Sequence, residues 1–112
     1  MNDSRALPRV VITYCTQCRW LLRASWLAAE LLTTFTTDLG EVVLRPGTGG
    51  VFTVSVDDEV IWDRGAVGGF PDAAPLKRLV RDRVAPDRSL GHTDRAAASR
   101  TSGDPAPEAS PL

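Results

Sequence analysis

Apolar positions along the chain change period several times, and each change marks an element. Arg9-Val-Val-Ile-Thr-Tyr14 is a β-branched, largely apolar run, which predicts a strand covered on both faces inside an α/β sheet. From about Gln17 to Asp38, Trp20, Ala24, Leu27, Ala28, Leu31 and Phe35 recur at helical spacing, with no glycine or proline before Gly40. This predicts one long helix that stops near Gly40. Glu41 to Arg45 is a second β-branched run, and strand, helix and strand in this order predict a right-handed parallel crossover.

After Pro46-Gly-Thr-Gly-Gly50 the period becomes two. Phe52, Val54 and Val56 alternate with Thr53 and Ser55, Asp57-Asp58 makes a short turn, and Glu59-Val-Ile-Trp-Asp63 returns as the antiparallel partner. Gly65 to Pro71 reads as a flexible joint. Asp72 then caps a helix with Pro75 in its first turn and Leu76, Leu79, Val80 and Val84 on one face. The expected order is therefore β-α-β-β-β-α, a small mixed sheet with two helices. Residues 1–8 form an N-terminal stub, 9–94 the domain, and 95–112 a tail too poor in large apolar groups to offset the entropy of ordering it.

The long helix also carries a second apolar stripe, Leu22, Trp26 and Ala29, opposite the first. A docking surface for a partner or a second subunit is one reading of it. Burial beneath a loop or the other helix is the alternative.

Composition narrows the function. The 112 residues are 43% hydrophobic and include three tryptophans, enough to bury a core without staples. Thirteen basic against fourteen acidic residues leave a charge of -1, too little field to hold nucleic acid or an anionic membrane. Met1 to Pro8 lacks the apolar core of a signal peptide, and no apolar run approaches the ~20 residues that span a bilayer. The expectation is a soluble, cytoplasmic protein.

In that setting Cys15-Thr16-Gln17-Cys18 is the feature that carries chemistry. Two cysteines this close cannot be the framework of a secreted domain, so metal or redox chemistry is the expectation. Their spacing lets the sulfurs reach bonding distance across one turn, and a mixed disulfide made by one is resolved by the other. Placed between strand and helix, one sulfur falls at or just before the first helical turn, where free amide N–H groups favour a thiolate. Arg19 either lowers a thiol pKa further or points to solvent.

Zinc is the rival, but His92 is the sole histidine and only a dimer could supply four thiolates, so no metal is expected in a single chain. His92 is either a proton shuttle beside the cysteines or a surface residue. Gly47-Thr-Gly-Gly50 lies between strands without a lysine or a following helix, and reads as a turn rather than a phosphate loop.

The run Val11-Ile-Thr-Tyr-Cys-Thr-Gln-Cys-Arg-Trp20, with Arg23-Ala24, Glu30-Leu31, Pro46, Gly49-Gly50-Val51-Phe52, Ile61-Trp62, Gly69-Phe70-Pro71, Leu76-Lys77 and Leu90-Gly91-His92, resembles the selenoprotein W family, also called the Rdx group. The resemblance spans about residues 9 to 94 and is closest to bacterial members. It implies a thioredoxin-like fold, a redox pair of Cys15 and Cys18, and Tyr14, Thr16, Gln17, Arg19 and Trp20 as its neighbours. Cys18 takes the position that selenocysteine occupies in other members. Thioredoxin logic favours Cys15 as the more exposed nucleophile, whereas the selenocysteine position favours Cys18, so both readings stand. Neither Pro46 nor Pro71 is matched to the proline that faces the active site of thioredoxins.

The function expected is thiol–disulfide exchange with a protein disulfide or sulfenic acid, with no bound cofactor and glutathione as co-substrate or adduct. A redox-sensing adaptor that binds through the Trp20 or Trp26 region is the alternative, and a zinc-bridged homodimer the third reading.

Overall fold

The structure is a computed structural model and describes residues 7–91; the expected tail, His92 and most of the N-terminal stub lie outside the described residues. The elements run β1 Arg9–Cys15, α1 Leu21–Thr34, β2 Glu41–Gly47, β3 Phe52–Val56, β4 Glu59–Asp63, α2 Arg64–Val67 and α3 Ala73–Val84. The strands form one sheet in the order β2-β1-β3-β4. β1 is parallel to β2 and antiparallel to β3, and β3 is antiparallel to β4.

The core lies on one face of this sheet. Val10, Ile12 and Tyr14 of β1 join Phe52, Val54 and Val56 of β3, and Ala24, Leu27, Leu31, Leu76 and Val80 from α1 and α3 close over them. Both long helices thus pack on the same side, as their i, i+3, i+4 apolar spacing requires. These helices lie on one face, yet Val11 and Cys15 on the other are buried and Thr13 is half-buried, so β1 is largely enclosed on both faces as its apolar run predicts.

Three boundaries differ from expectation. α1 starts at Leu21 and ends at Thr34, several residues inside the expected span at either end. At its start Arg19 has φ 61, a left-handed backbone that cannot belong to a right-handed helix. At its end Phe35 is the C-cap and stays fully buried, so the apolar stripe outlasts the helix. β2 runs on through Gly47, and Pro46 is tolerated because β2 is an edge strand with no outer neighbour to receive an N–H.

The third difference is α2, which replaces the first half of the expected flexible joint. Asp63 caps it by accepting from the Gly65 N–H at 3.0 Å, and Gly68 closes it at φ 91. The β3–β4 hairpin forms as expected, with Asp57 and Asp58 both left-handed at φ 47 and 75. Asp57 tolerates this because its carboxylate accepts the Arg9 N–H at 2.9 Å while its own N–H donates to the Arg9 carbonyl at 2.9 Å.

No helix among the described residues is long and apolar enough to cross a membrane.

Candidate functional site

Cys15 is the last residue of β1, opposite Gly47 of β2, and it has no exposed surface. The four residues after it turn back on themselves. The Thr16 N–H and hydroxyl both donate to the Gly47 carbonyl, at 2.9 and 3.1 Å, and pin the start of the turn to β2. The Arg19 N–H then donates to the Thr16 carbonyl at 3.1 Å, and the left-handed Arg19 redirects the chain into Trp20, the N-cap of α1. A non-glycine residue held at positive φ is a local cost, of a kind that persists where the surrounding contacts fix it.

The turn brings Cys18 back over Cys15. Both are free cysteines, and the Cys18 thiol donates to the Cys15 sulfur at 2.6 Å. That hydrogen bond holds the Cys15 pKa below the ordinary thiol value, with burial opposing it and the backbone N–H groups of Gly50, Cys18 and Gln17 assisting. It also pushes Cys18 upward, together with burial and the Cys15 charge, while Gly50 and the Arg64 guanidinium pull it down. The contact therefore favours loss of the first proton from the buried sulfur, with the remaining proton shared between the two.

This arrangement corrects one expectation and sharpens another. Cys15 is not the more exposed sulfur; Cys18 is half-buried and Cys15 wholly enclosed. Cys18 does lie just before α1, yet the backbone donors named above come from its own turn and from Gly50 in the β2–β3 loop, not from helix amides. Gly50 and its neighbour Gly49 both have φ 77, which a glycine adopts without steric cost.

The other neighbours divide. Tyr14 is buried in the core on the helix-covered face, Gln17 is exposed and contributes its backbone N–H, and Arg19 is exposed. The cation that acts on Cys18 is Arg64, from the start of α2. Trp20 is half-buried and meets Phe52 and Phe70 edge to face, with centroids at 6.3 and 4.8 Å; Phe52 and Phe70 meet likewise at 5.1 Å. The Arg64 guanidinium lies 4.8 Å from the Trp20 ring and 5.2 Å from that of Phe70, and Arg23 lies 4.1 Å over Phe70. Arg23, Arg64 and the loop amide of Gly50 were not singled out for this site from sequence. Arg23 enters the sequence reading only among the residues of the family resemblance, Gly50 and Phe70 there and within a turn and a joint, none with a role at the cysteines, and Arg64 has no motif around it.

Leu22 and Trp26, the second stripe of α1, are 81% and 42% exposed, so the described residues do not bury them. No group of three or more His, Cys, Asp or Glu among the described residues is placed to hold a metal ion.

Residues 9–82 match the Rdx family. A crystal structure of a protein from Bordetella parapertussis is 60% identical and has a TM-score of 0.67, over 68% of this chain and 96% of that one. A crystal structure of a selenoprotein W-related protein from Vibrio cholerae is 45% identical with a TM-score of 0.69, over 70% of this chain and 98% of that one. No curated protein matches the chain.

Proposed function

The chain belongs to the Rdx family and has its thioredoxin-like fold, and from that premise we propose that it is a thiol–disulfide redox protein in which Cys18 attacks the substrate and Cys15 resolves the adduct. The observation that carries this division of labour is the unequal access of two sulfurs that touch: Cys18 is half-buried, while Cys15 has no exposed surface. An external disulfide can reach only Cys18.

Proton sharing makes Cys18 competent despite its raised pKa. The Cys15 thiolate accepts the Cys18 proton across the 2.6 Å contact, and the Cys18 thiolate so formed attacks one sulfur of a disulfide RSSR. A bond forms between the Cys18 sulfur and one sulfur of RSSR, the S–S bond of RSSR breaks, and RS⁻ leaves with that electron pair and takes a proton from water. Cys15 then loses its proton and attacks the Cys18 sulfur, expelling the second thiolate. Two protein thiols are oxidised to one disulfide and RSSR is reduced to two RSH. With a sulfenic acid RSOH the first step releases water and the second releases RSH. Glutathione disulfide, a protein disulfide and a protein sulfenic acid all fit this chemistry as oxidants, and glutathione fits as the thiol that reduces the Cys15–Cys18 disulfide again.

The test is trapping with single variants. Cys15→Ser treated with glutathione disulfide should accumulate a Cys18 adduct, seen by mass spectrometry as one glutathionyl group per chain. Cys18→Ser should stay unmodified on the same timescale. A Cys18→Ser variant that forms the adduct as fast as Cys15→Ser overturns the assignment of the attacking sulfur. Failure of the unaltered dithiol to form a Cys15–Cys18 disulfide in any thiol redox buffer overturns the redox reading.

The second reading, a redox-sensing adaptor, is favoured by the exposure of Leu22 and Trp26 on the helix that follows the cysteine turn. It shares the oxidation step and differs in having no turnover.

A further inference from the structure

Four arginines of the domain meet carboxylates at short range: Arg9 with Glu41, Arg81 with Asp82, Arg83 with Glu59 and Arg88 with Asp38, at 2.6, 2.9, 2.7 and 2.6 Å. Arg23 and Arg64 do not. Among the described residues they meet aromatic rings instead: Arg23 lies over Phe70, and Arg64 over Phe70 and Trp20. The Nε of Arg64 is buried with no hydrogen-bond partner. A buried N–H of a cationic group left unpaired is costly, and a bound water or anion is one way such a group is satisfied.

The position of these two side chains gives that ligand a role. They come from different elements, α1 and the start of α2, yet converge on one ring, and Trp20, whose ring Arg64 covers, is two residues from Cys18. A guanidinium packed against rings, with no carboxylate of its own, keeps N–H donors for an anion. A carboxylate is the match, because its two oxygens accept parallel N–H donors from one guanidinium.

We propose that Arg23 and Arg64, which converge on Phe70 near the cysteine turn, form an anion subsite that selects small disulfides carrying a carboxylate. This rests on the redox reading for the identity of the substrate, but the subsite itself is a statement about charge near Cys18. It orients an anionic reagent so that its reacting atom faces the accessible sulfur. A neutral reagent of the same size finds no such anchor, and a cationic one is repelled.

The experiment compares reagents of one shape and different charge. In Cys15→Ser, which leaves Cys18 as the only thiol, alkylation by iodoacetate and by iodoacetamide is timed at low ionic strength, each rate normalised to that of free dithiothreitol. The expected normalised ratio is about tenfold in favour of iodoacetate, falling toward one with added salt, since the anchor is a partly exposed ion pair. Arg64→Met and Arg23→Met should each lower the ratio, and Arg64→Lys should retain part of it. Any general effect of Arg64 on Cys18 reactivity slows both reagents equally and cancels in the ratio. A ratio near one in Cys15→Ser, or a ratio unchanged in the Arg23→Met/Arg64→Met double variant, overturns the subsite and leaves the arginines as covers for the aromatic cluster.

The disulfide arm uses the unaltered dithiol with dithiodiglycolate, hydroxyethyl disulfide and cystamine, expected in that order of normalised rate. Absence of exchange with all three, alongside an intact iodoacetate preference, defeats the redox reading and upholds the subsite. Exchange with all three at one normalised rate does the reverse.

Discussion

Replacing Phe52 by leucine tests whether the aromatic cluster beneath the cysteine turn is an energetic unit. Phe52 is 1% exposed and meets Trp20 at 6.3 Å and 73°, and Phe70 at 5.1 Å and 81°. Leucine keeps most of the apolar volume, so the main loss is two edge-to-face contacts, each worth about 0.5–1.5 kcal/mol beyond burial. Phe52→Leu should therefore cost about 1–3 kcal/mol, and for a domain of this size each kcal/mol lowers Tm by about 4–8 °C. Urea unfolding of the reduced protein measures the first quantity and a thermal scan the second. A cycle with Phe70→Leu isolates one contact: the double variant should lose about 0.5–1.5 kcal/mol less than the two single losses added. Because Trp20 caps the helix that follows Cys18, Phe52→Leu should also change the alkylation rate of Cys18. A cost below about 0.5 kcal/mol, the scatter of neutral surface changes, would refute the argument from ring geometry. So would strictly additive single variants.

Three further expectations follow from the same site. In Cys18→Ala the Cys15 thiolate should appear at higher pH than in the unaltered protein, because its chief stabiliser, the Cys18 hydrogen bond, is gone; in Cys15→Ala the Cys18 thiolate should appear at lower pH. Thiolate absorbance against pH checks both, and shifts in the same direction would contradict proton sharing. Gly47→Ala places a Cβ 2.9 Å from Val51 Cγ1 and 3.2 Å from Thr13 Cγ2, whereas at Gly50 a Cβ meets open space but the backbone has φ 77. Each should cost about 1–3 kcal/mol in urea unfolding, one through crowding and one through backbone strain, so adding Val51→Ala should rescue Gly47→Ala and not Gly50→Ala. Trp26→Glu should stay folded and cost about 1–3 kcal/mol by urea unfolding, since Trp26 is 42% exposed and only its covered part is lost. A loss beyond about 4 kcal/mol would show that Trp26 belongs to the core.

Much of this architecture was legible because its signals are local. The β-branched runs became β1, β2 and β3, and the Leu27, Leu31 stripe became the buried face of α1. The C-x-x-C spacing located both sulfurs and the turn between them. What local pattern could not carry was everything decided by distant segments. The helix began later than its apolar period because Arg19 takes a left-handed conformation, which arginine composition does not announce. The burial of Cys15 and the arrival of Arg64, Phe70 and Gly50 depend on chain segments dozens of residues away. The run from Gly65 to Pro71 has no period and reads as a joint, yet the Asp63 carboxylate accepting the Gly65 N–H caps a short helix, α2, there.

Those distant arrivals are nonetheless required by the strand order. β2 and β3 flank β1 on its two sides, and β2 is parallel to β1 while β3 is antiparallel. The end of β2 and the start of β3 therefore both lie at the end of β1 where Cys15 sits, and the short connection 48–51 must cross over that end. This crossing shuts Cys15 away from solvent and aims the Gly50 backbone at both sulfurs. β4 is antiparallel to β3 and so also finishes at this edge, which delivers Arg64, the next residue, to the same place. The cysteine turn, the glycine loop and the arginine are thus one consequence of a single arrangement of four strands. Ligand sites of open α/β sheets lie at such an edge for the same reason, since the carboxyl ends of neighbouring strands release their loops together. The difference in access between the two thiols follows from this crossing rather than from their own sequence. Lengthening the 48–51 connection by a few glycines, with the strands intact, should expose Cys15 and raise its alkylation rate toward that of Cys18.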